Sequence, residues 1–365
     1  MQIAEARAYR QWQPFVDGTY ACSGGVAEGF DSTIVELVAA DGTTGFGEAA
    51  PLGAFYAEAF PAGIRAGVTE LLPLTIGADA RTPRALLHTL DRAMMGQRAA
   101  KAAIDMATCD LAARLAGVPL CAALGGRHGD SVDLYRSIVG DDPAVMAERA
   151  RAHVADGYRR IQVKVGADPL DDAERLRAVH KAVGNGIALV CDANGSWSSA
   201  AALRFLQRTR DLDYALEQPC TSLPECALVR ARCERPLVLD ESIVDLESLL
   251  AARQIAGCDA VTIKLARVGG VSRAALLRDV ACELGLLVTI EDTGGSDIAT
   301  AAMAHASIST PAQRRLHTVD FNAWVTVANA SGMPAPRDGG LGVPDGPGLG
   351  VEVDAASLGA PFARA

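Results

Sequence analysis

The sequence has no apolar run approaching the ~18 residues of a membrane-crossing helix, no block rich in lysine and arginine, and no Cys-x-x-Cys pair. Each absence excludes a class. Without the long run there is no spanning helix, although the chain is 50% hydrophobic. Without a basic block, and with a formal net charge of −10, nucleic acid is not an expected partner. An acidic balance still permits an anionic substrate, because one divalent metal reverses the field inside a site. The nine cysteines (Cys22, Cys109, Cys121, Cys191, Cys220, Cys226, Cys233, Cys258 and Cys282) are odd in number, so buried free thiols in a reducing compartment are expected rather than disulfides. The N-terminal stretch MQIAEARAYRQW lacks the basic start, apolar centre and cleavage site of a secretory signal. It reads as an opening strand, and a cytoplasmic location is expected.

A length of 365 residues suits two domains, or a barrel with an extra domain. Residues 1–125 mix strand-like stretches, such as STIVELVAADGTTGFGEA with its Asp41-Gly42 turn, with a helical segment over 96–116. There Ala102, Met106, Ala107, Leu111 and Leu115 recur at helical steps, predicting an amphipathic helix ended by Gly117 before Pro119. This is an α+β domain. From Val132 the pattern changes to short apolar runs: VDLYRSI, RIQVKV, IALVCDAN, YALEQP, PLVLDES, AVTIKL, LLVTIED and RLHTVD. All but the last precede helical stretches, and strands covered by helices on the outside read as continuous apolar runs. The alternation predicts an α/β fold, a (β/α)7–8 TIM-type barrel over 126–332 with the α+β domain as a cap. A doubly wound open sheet is the competing architecture, but its usual GxGxxG after the first strand is absent. The Gly- and Pro-rich tail 333–365 is expected to return to the first domain.

In a parallel barrel the C-terminal ends of the strands converge on one mouth. The residues where the apolar runs turn polar there are Lys164, Asp192, Glu217, Asp240, Lys264, Asp292 and Asp320. Asp192, Glu217 and Asp240 end three successive strands, and neighbouring strands are ~4.8 Å apart. Three carboxylates at such spacing repel one another unless a cation sits among them. Hard oxygen donors suit Mg²⁺. Lys164 and Lys264 lie four strands apart, on opposite walls of an eight-membered ring. A lysine crowded in this way is expected to have a depressed pKa and to serve as a base near neutral pH. Together these groups answer one problem: a proton α to a carboxylate leaves only when the charge that develops is strongly stabilised.

The motifs IQVKVG, CDANGSW, LEQPC, LDES, IKLARVGG and EDTGG together resemble the enolase superfamily, specifically its muconate-lactonising subgroup, over nearly the whole chain. The logic of a lysine base with Mg²⁺ is that superfamily's own. The resemblance implies Asp192, Glu217 and Asp240 as metal ligands and Lys164 and Lys264 as the acid/base pair. It also implies Asn194 supporting the metal site, Glu241 pairing with a lysine, a small amino-acid carboxylate as substrate, and a homo-oligomer. Gln162 stands where the subgroup usually has a second lysine. The Gln-x-Lys form with LEQPC resembles the branch acting on proline derivatives, and the seventh strand reads more like its cis-3-hydroxy-L-proline dehydratases. A racemase or epimerase of proline betaine, hydroxyproline betaine or N-acylamino acids is the alternative. For such a substrate Asp292 and Asp320 are candidates to hold the ammonium. Tyr20, Phe30 and Tyr56 are candidate lid residues, and Phe321 and Trp324 candidate pocket walls.

Overall fold

A computed structural model describes residues 1–22, 25–140 and 142–365. The N-terminal strands β1 (Ile3–Pro14), β2 (Gly29–Ala39) and β3 (Thr44–Ala49) form an antiparallel sheet in that order, and Ala363–Arg364 from the tail adds to the free edge of β1. Three helices follow: α1 (Pro61–Leu71), α2 (Pro83–Ala93) and α3 (Arg98–Ala116). Gly117 ends α3 at φ 68°, a left-handed conformation that glycine adopts without a side-chain clash. The helix is not amphipathic as expected. Nearly every residue from Ala99 to Leu111 is buried, because the sheet covers one side and the second domain the other. Its alanines permit this closeness, and so does β3: a side chain at Gly47 would place its Cβ 2.1 Å from the Ala103 carbonyl oxygen.

The second domain is a curled parallel sheet of seven strands in sequence order: β4 (Tyr135–Ile138), β5 (Arg160–Lys164), β6 (Ala188–Asp192), β7 (Ala215–Glu217), β8 (Leu237–Leu239), β9 (Ala260–Lys264) and β10 (Leu287–Glu291). A helix follows each strand and covers the outside. The predicted eighth strand, RLHTVD, is reduced to isolated bridges. It nevertheless spans both sheet edges, with the Leu316 amide donating to the Val288 carbonyl (2.9 Å) and the Thr318 amide to that of Asp133 (2.9 Å). The run lies between a 3₁₀ turn at Ala312–Arg314 and another at Phe321–Ala323.

Among the described residues no helix is long and apolar enough to cross a membrane. Cys109, Cys121, Cys191, Cys220, Cys226, Cys233 and Cys258 are buried free thiols and Cys282 a half-buried one; the side chain of Cys22 lies outside the described residues.

The last barrel helix, α4 (Asp297–Ile308), is buried along its whole length. Its His305 joins three segments: Nδ1 accepts from the Cys121 amide (3.2 Å) and Nε2 lies 3.0 Å from the Leu349 carbonyl oxygen. Burial lowers its pKa to about 4, against ~6.5 in an unfolded chain. Between those values the unfolded chain binds a proton that the folded one refuses, so this stability is complete above pH 6.5 and is lost as pH falls towards 4. Urea unfolding of wild type and His305→Asn at pH 7 and pH 5 is expected to show wild type losing about 2 kcal/mol more than the variant across that interval.

Candidate active site

Side chains alternate in and out along a barrel strand, so Gln162 and Lys164 on β5 point the same way, and both line one cleft at the mouth. Strand register sets Lys164 beside Asp192 and Asp192 beside Glu217, while Lys264 sits beside Glu291. The cleft leaves about 40 Å³ of space for water-sized molecules. Lys164, Lys264, Asp192, Glu291 and Asp292 form its polar side, and Tyr20, Phe30, Leu52, Tyr56, Phe321 and Trp324 its apolar side. The two lysines stand on walls separated by three intervening strands.

Every buried charge here has a partner. Lys164 Nζ donates to Asp192 (2.5 Å), and Lys264 Nζ donates to Asp240 (2.8 Å) and pairs with Glu291 (3.1 Å). Arg267 donates to the other Asp240 oxygen (2.5 Å). Glu217 has no cation in contact; it accepts from Gln162 Nε2 (2.9 Å) and Thr262 Oγ1 (3.1 Å). Burial, with Asp192 and Asp240 nearby, pushes the Glu217 carboxyl well above its ordinary range. The expected depression of the lysines is not found. Burial favours their neutral form, but Asp192 beside Lys164 and Asp240 beside Lys264 outweigh it, and both amines are held charged well above the ordinary lysine range.

The other predicted residues divide. Tyr56 reaches in from the capping domain, accepting from Lys264 Nζ and lying 3.5 Å from Asp240 Oδ2. Tyr20 stacks on Trp324 with ring centroids 5.2 Å apart. Asn194 bridges Asp192 and Glu241 through Nδ2, at 3.0 Å each. Glu241 therefore bonds to Asn194 and not to a lysine, and burial and Asp240 raise its pKa to about 7. Asp292 lines the cleft but accepts from the amides of Ala266 and Thr293 (3.1 and 2.8 Å); burial moves it to about 7. Asp320 is absent from the cleft. It lies behind the aromatic wall, accepting from Tyr158 OH (2.9 Å) and facing Arg136 at 3.6 Å, while the next residue, Phe321, is the one that lines the cleft.

Residues 145–357 match the family described as enolase C-terminal domain-like, and residues 23–125 match the mandelate racemase/muconate lactonizing enzyme N-terminal domain. The chain belongs to the enolase superfamily. Among its relatives is the cis-3-hydroxy-L-proline dehydratase of Roseibium aggregatum, 38% identical over the whole of both chains. The N-succinyl-L-Arg/Lys racemase of Bacillus cereus is 26% identical, with 90% of this chain and 89% of the racemase aligned. A solved superfamily member from Roseovarius nubinhibens ISM, complexed with magnesium, superposes with a TM-score of 0.94 at 33% identity, covering 100% of this chain and 99% of that one.

In this superfamily enzyme the donor set fits a divalent ion: three carboxylates converge in a water-poor barrel, and two of them raise the pKa of the third. As the side chains stand, no group of three acidic, imidazole or thiolate residues encloses a metal position among the described residues. Lys164, Lys264 and Arg267 supply the counter-charge to Asp192 and Asp240 instead.

Among the cleft residues that escaped the sequence reading are Glu291 and Tyr135, whose hydroxyl donates to Glu291 (2.9 Å). A signal was present. Lys264 points inward, and its register partner on β10 is Glu291, not the Asp292 at which the apolar run ends. Tyr135→Phe leaves that buried carboxylate one donor short; urea unfolding is expected to show a loss of about 1–3 kcal/mol.

Proposed function

We propose that the protein is a lyase that removes the α-proton of cis-3-hydroxy-L-proline and expels its 3-hydroxyl as water. The observation that carries this reading is the placement of Lys164 and Lys264 on facing walls of one cleft, with Asp192 bordering it. In the cis isomer the hydroxyl shares a ring face with the carboxylate, so the α-hydrogen projects from the other face. An amine on each side then serves an anti elimination: one takes the proton from C2, and the other, as its ammonium, gives a proton to the departing oxygen. The C2–H and C3–O bonds break and a C2=C3 bond forms. The enamine tautomerises to a cyclic imine, a pyrroline carboxylate. The full-length similarity to a dehydratase of this name supports the reading.

Asp192, Glu217 and Asp240 would hold Mg²⁺. When bound, the ion would supply the positive charge that the substrate carboxylate needs as its α-carbon loses a proton. The chain's own residues do the rest. Gln162 and Thr262 orient Glu217, and Asn194 orients Asp192. Tyr20, Tyr56 and Trp324, which line the cleft, would keep water from the reacting face, and Asp292 would meet the ring nitrogen. Asp192 and Asp240, which hold Lys164 and Lys264 charged in their present pairs, are two of the carboxylates that would hold the ion.

A racemase or epimerase uses the same two amines without losing a hydroxyl, and the relatedness to an N-succinyl-L-Arg/Lys racemase favours keeping that second reading. A panel of proline, proline betaine and the cis and trans 3-hydroxyprolines, incubated in D₂O with Mg²⁺, separates them. Imine formation from the cis isomer alone is expected, with Lys164→Ala and Lys264→Ala each lowering kcat by about 10²–10⁴. Deuterium entering proline or its betaine, with no imine from a 3-hydroxyproline, would replace the lyase by an epimerase.

Metal binding has a readout that needs no turnover. Mg²⁺ at a hundred times its Kd is expected to stabilise wild type by about 2.7 kcal/mol, seen as a rise in Tm that Glu217→Gln largely abolishes. An unchanged Tm in wild type across millimolar Mg²⁺ would count against the metal site.

A further inference from the structure

Glu48 takes no part in the chemistry above, yet it is fully buried and accepts five hydrogen bonds. Its Oε1 takes Gln13 Nε2 (2.8 Å) and Ser32 Oγ (2.7 Å), both on the N-terminal sheet. Its Oε2 takes the Ser296 amide (3.0 Å), Ser296 Oγ (2.7 Å) and the Ala299 amide (3.1 Å), all on the barrel. One carboxylate thus grips one domain with each oxygen, and all five donors are neutral. The helix α4 has no side-chain cap of its own, because the hydroxyl of Ser296 is turned towards Glu48. A negative group at a helix N-terminus is stabilising, and here the other domain provides it.

Both walls of the cleft meet at this point. Two residues after Glu48, the Ala50 carbonyl accepts from Thr293 Oγ1 (3.0 Å). Gly294 lies so close to Phe30 that an added Cβ would come within 2.4 Å of the ring and 2.7 Å of the Ala50 oxygen. From Ala50 the chain continues to Leu52 and Tyr56 on the lid side; before Ser296 come Glu291, Asp292 and Thr293 on the barrel side, and these five line the cleft. Asp105 on α3 is a second capping-domain carboxylate at a barrel helix, accepting from the Ser272 amide (2.8 Å), but it does not line the cleft.

We infer that Glu48 is a positioning residue, setting the seat of the Phe30–Tyr56 wall over the strand ends and so the placement of Tyr56 against Lys264. The kinetic half of its test rests on the proposed α-proton chemistry; the exchange half does not. Glu48→Ala, assayed well below its Tm, is expected to lose at least tenfold in kcat/KM, with most of the loss restored in Glu48→Gln, which keeps an acceptor and the side-chain volume. Combined with Tyr56→Phe, its effect should be less than additive, since both act on one wall. Hydrogen exchange of residues 50–60 should quicken in Glu48→Ala and stay at the wild-type rate in Asp105→Ala, which is expected to lose stability but less than twofold in kcat/KM. Should Glu48→Ala not fold, Ser296→Ala removes one of the three barrel-side donors and carries the same expectation at smaller size. The inference is overturned if folded Glu48→Ala or Ser296→Ala keeps wild-type exchange over 50–60 and kcat/KM within twofold. If wild type turns over no proline derivative, the proposed function falls, while the exchange comparison still decides the role of Glu48.

Discussion

The balance of buried charge at the barrel mouth governs the rest of this structure. Asp192, Glu217, Asp240, Glu291 and Asp292 are buried within a few strand widths of one another, and an unpaired ionised group in such a place costs several kcal/mol. The cost is met by Lys164, Lys264 and Arg267 and by neutral donors such as Gln162, Thr262 and Tyr135. A site arranged this way holds its charges ready for a reaction in which charge moves. It also explains why the lysines are not depressed: each is bound to the carboxylate that a metal would otherwise claim.

Such a site works only under cover, because water weakens electrostatic effects. The cover is the capping domain, and its attachment is polar as well as apolar. Glu48 and Asp105 each bind the N-terminal turn of a barrel helix, and Asp110 accepts from the amides of Phe46 and Leu349 (2.9 and 2.7 Å), tying α3 to β3 and to the returning tail. Directional bonds of this kind fix one orientation of the two domains, which non-directional hydrophobic contact does not. The tight approach of α3 to β3 at Gly47 adds a steric constraint on the same interface.

The barrel was legible because parallel strands covered by helices have to be apolar throughout, and seven runs show it. The eighth run shows it equally but forms only isolated bridges to the two sheet edges, and run composition says nothing about that. At the mouth, taking the first polar residue after each run located Lys164, Asp192, Lys264 and Asp292 in the cleft and Glu217 and Asp240 buried next to its lining, but it also put Asp320 in the cleft, and it passed over Glu291. The rule follows chain order, whereas inward direction follows the pleat and the register with the neighbouring strand. The helix 98–116 was visible from its spacing and its Gly117 stop, but its burial on all sides was not, because that depends on a second domain packing against its outer face.

The order of apolar runs and helices, the parallel barrel, the positions of the two lysines and the three successive carboxylates, and the superfamily follow from the amino-acid sequence alone, because each is set by local periodicity or by short motifs. Which charges pair, which carboxylates reach the cleft, how far the lysines' protonation is held up, and that Glu48 joins the two domains were decided only by the tertiary structure. Those properties depend on distances of a few ångströms between residues far apart in the chain, as Glu48 and Ser296 are, and spacing along a sequence does not contain them.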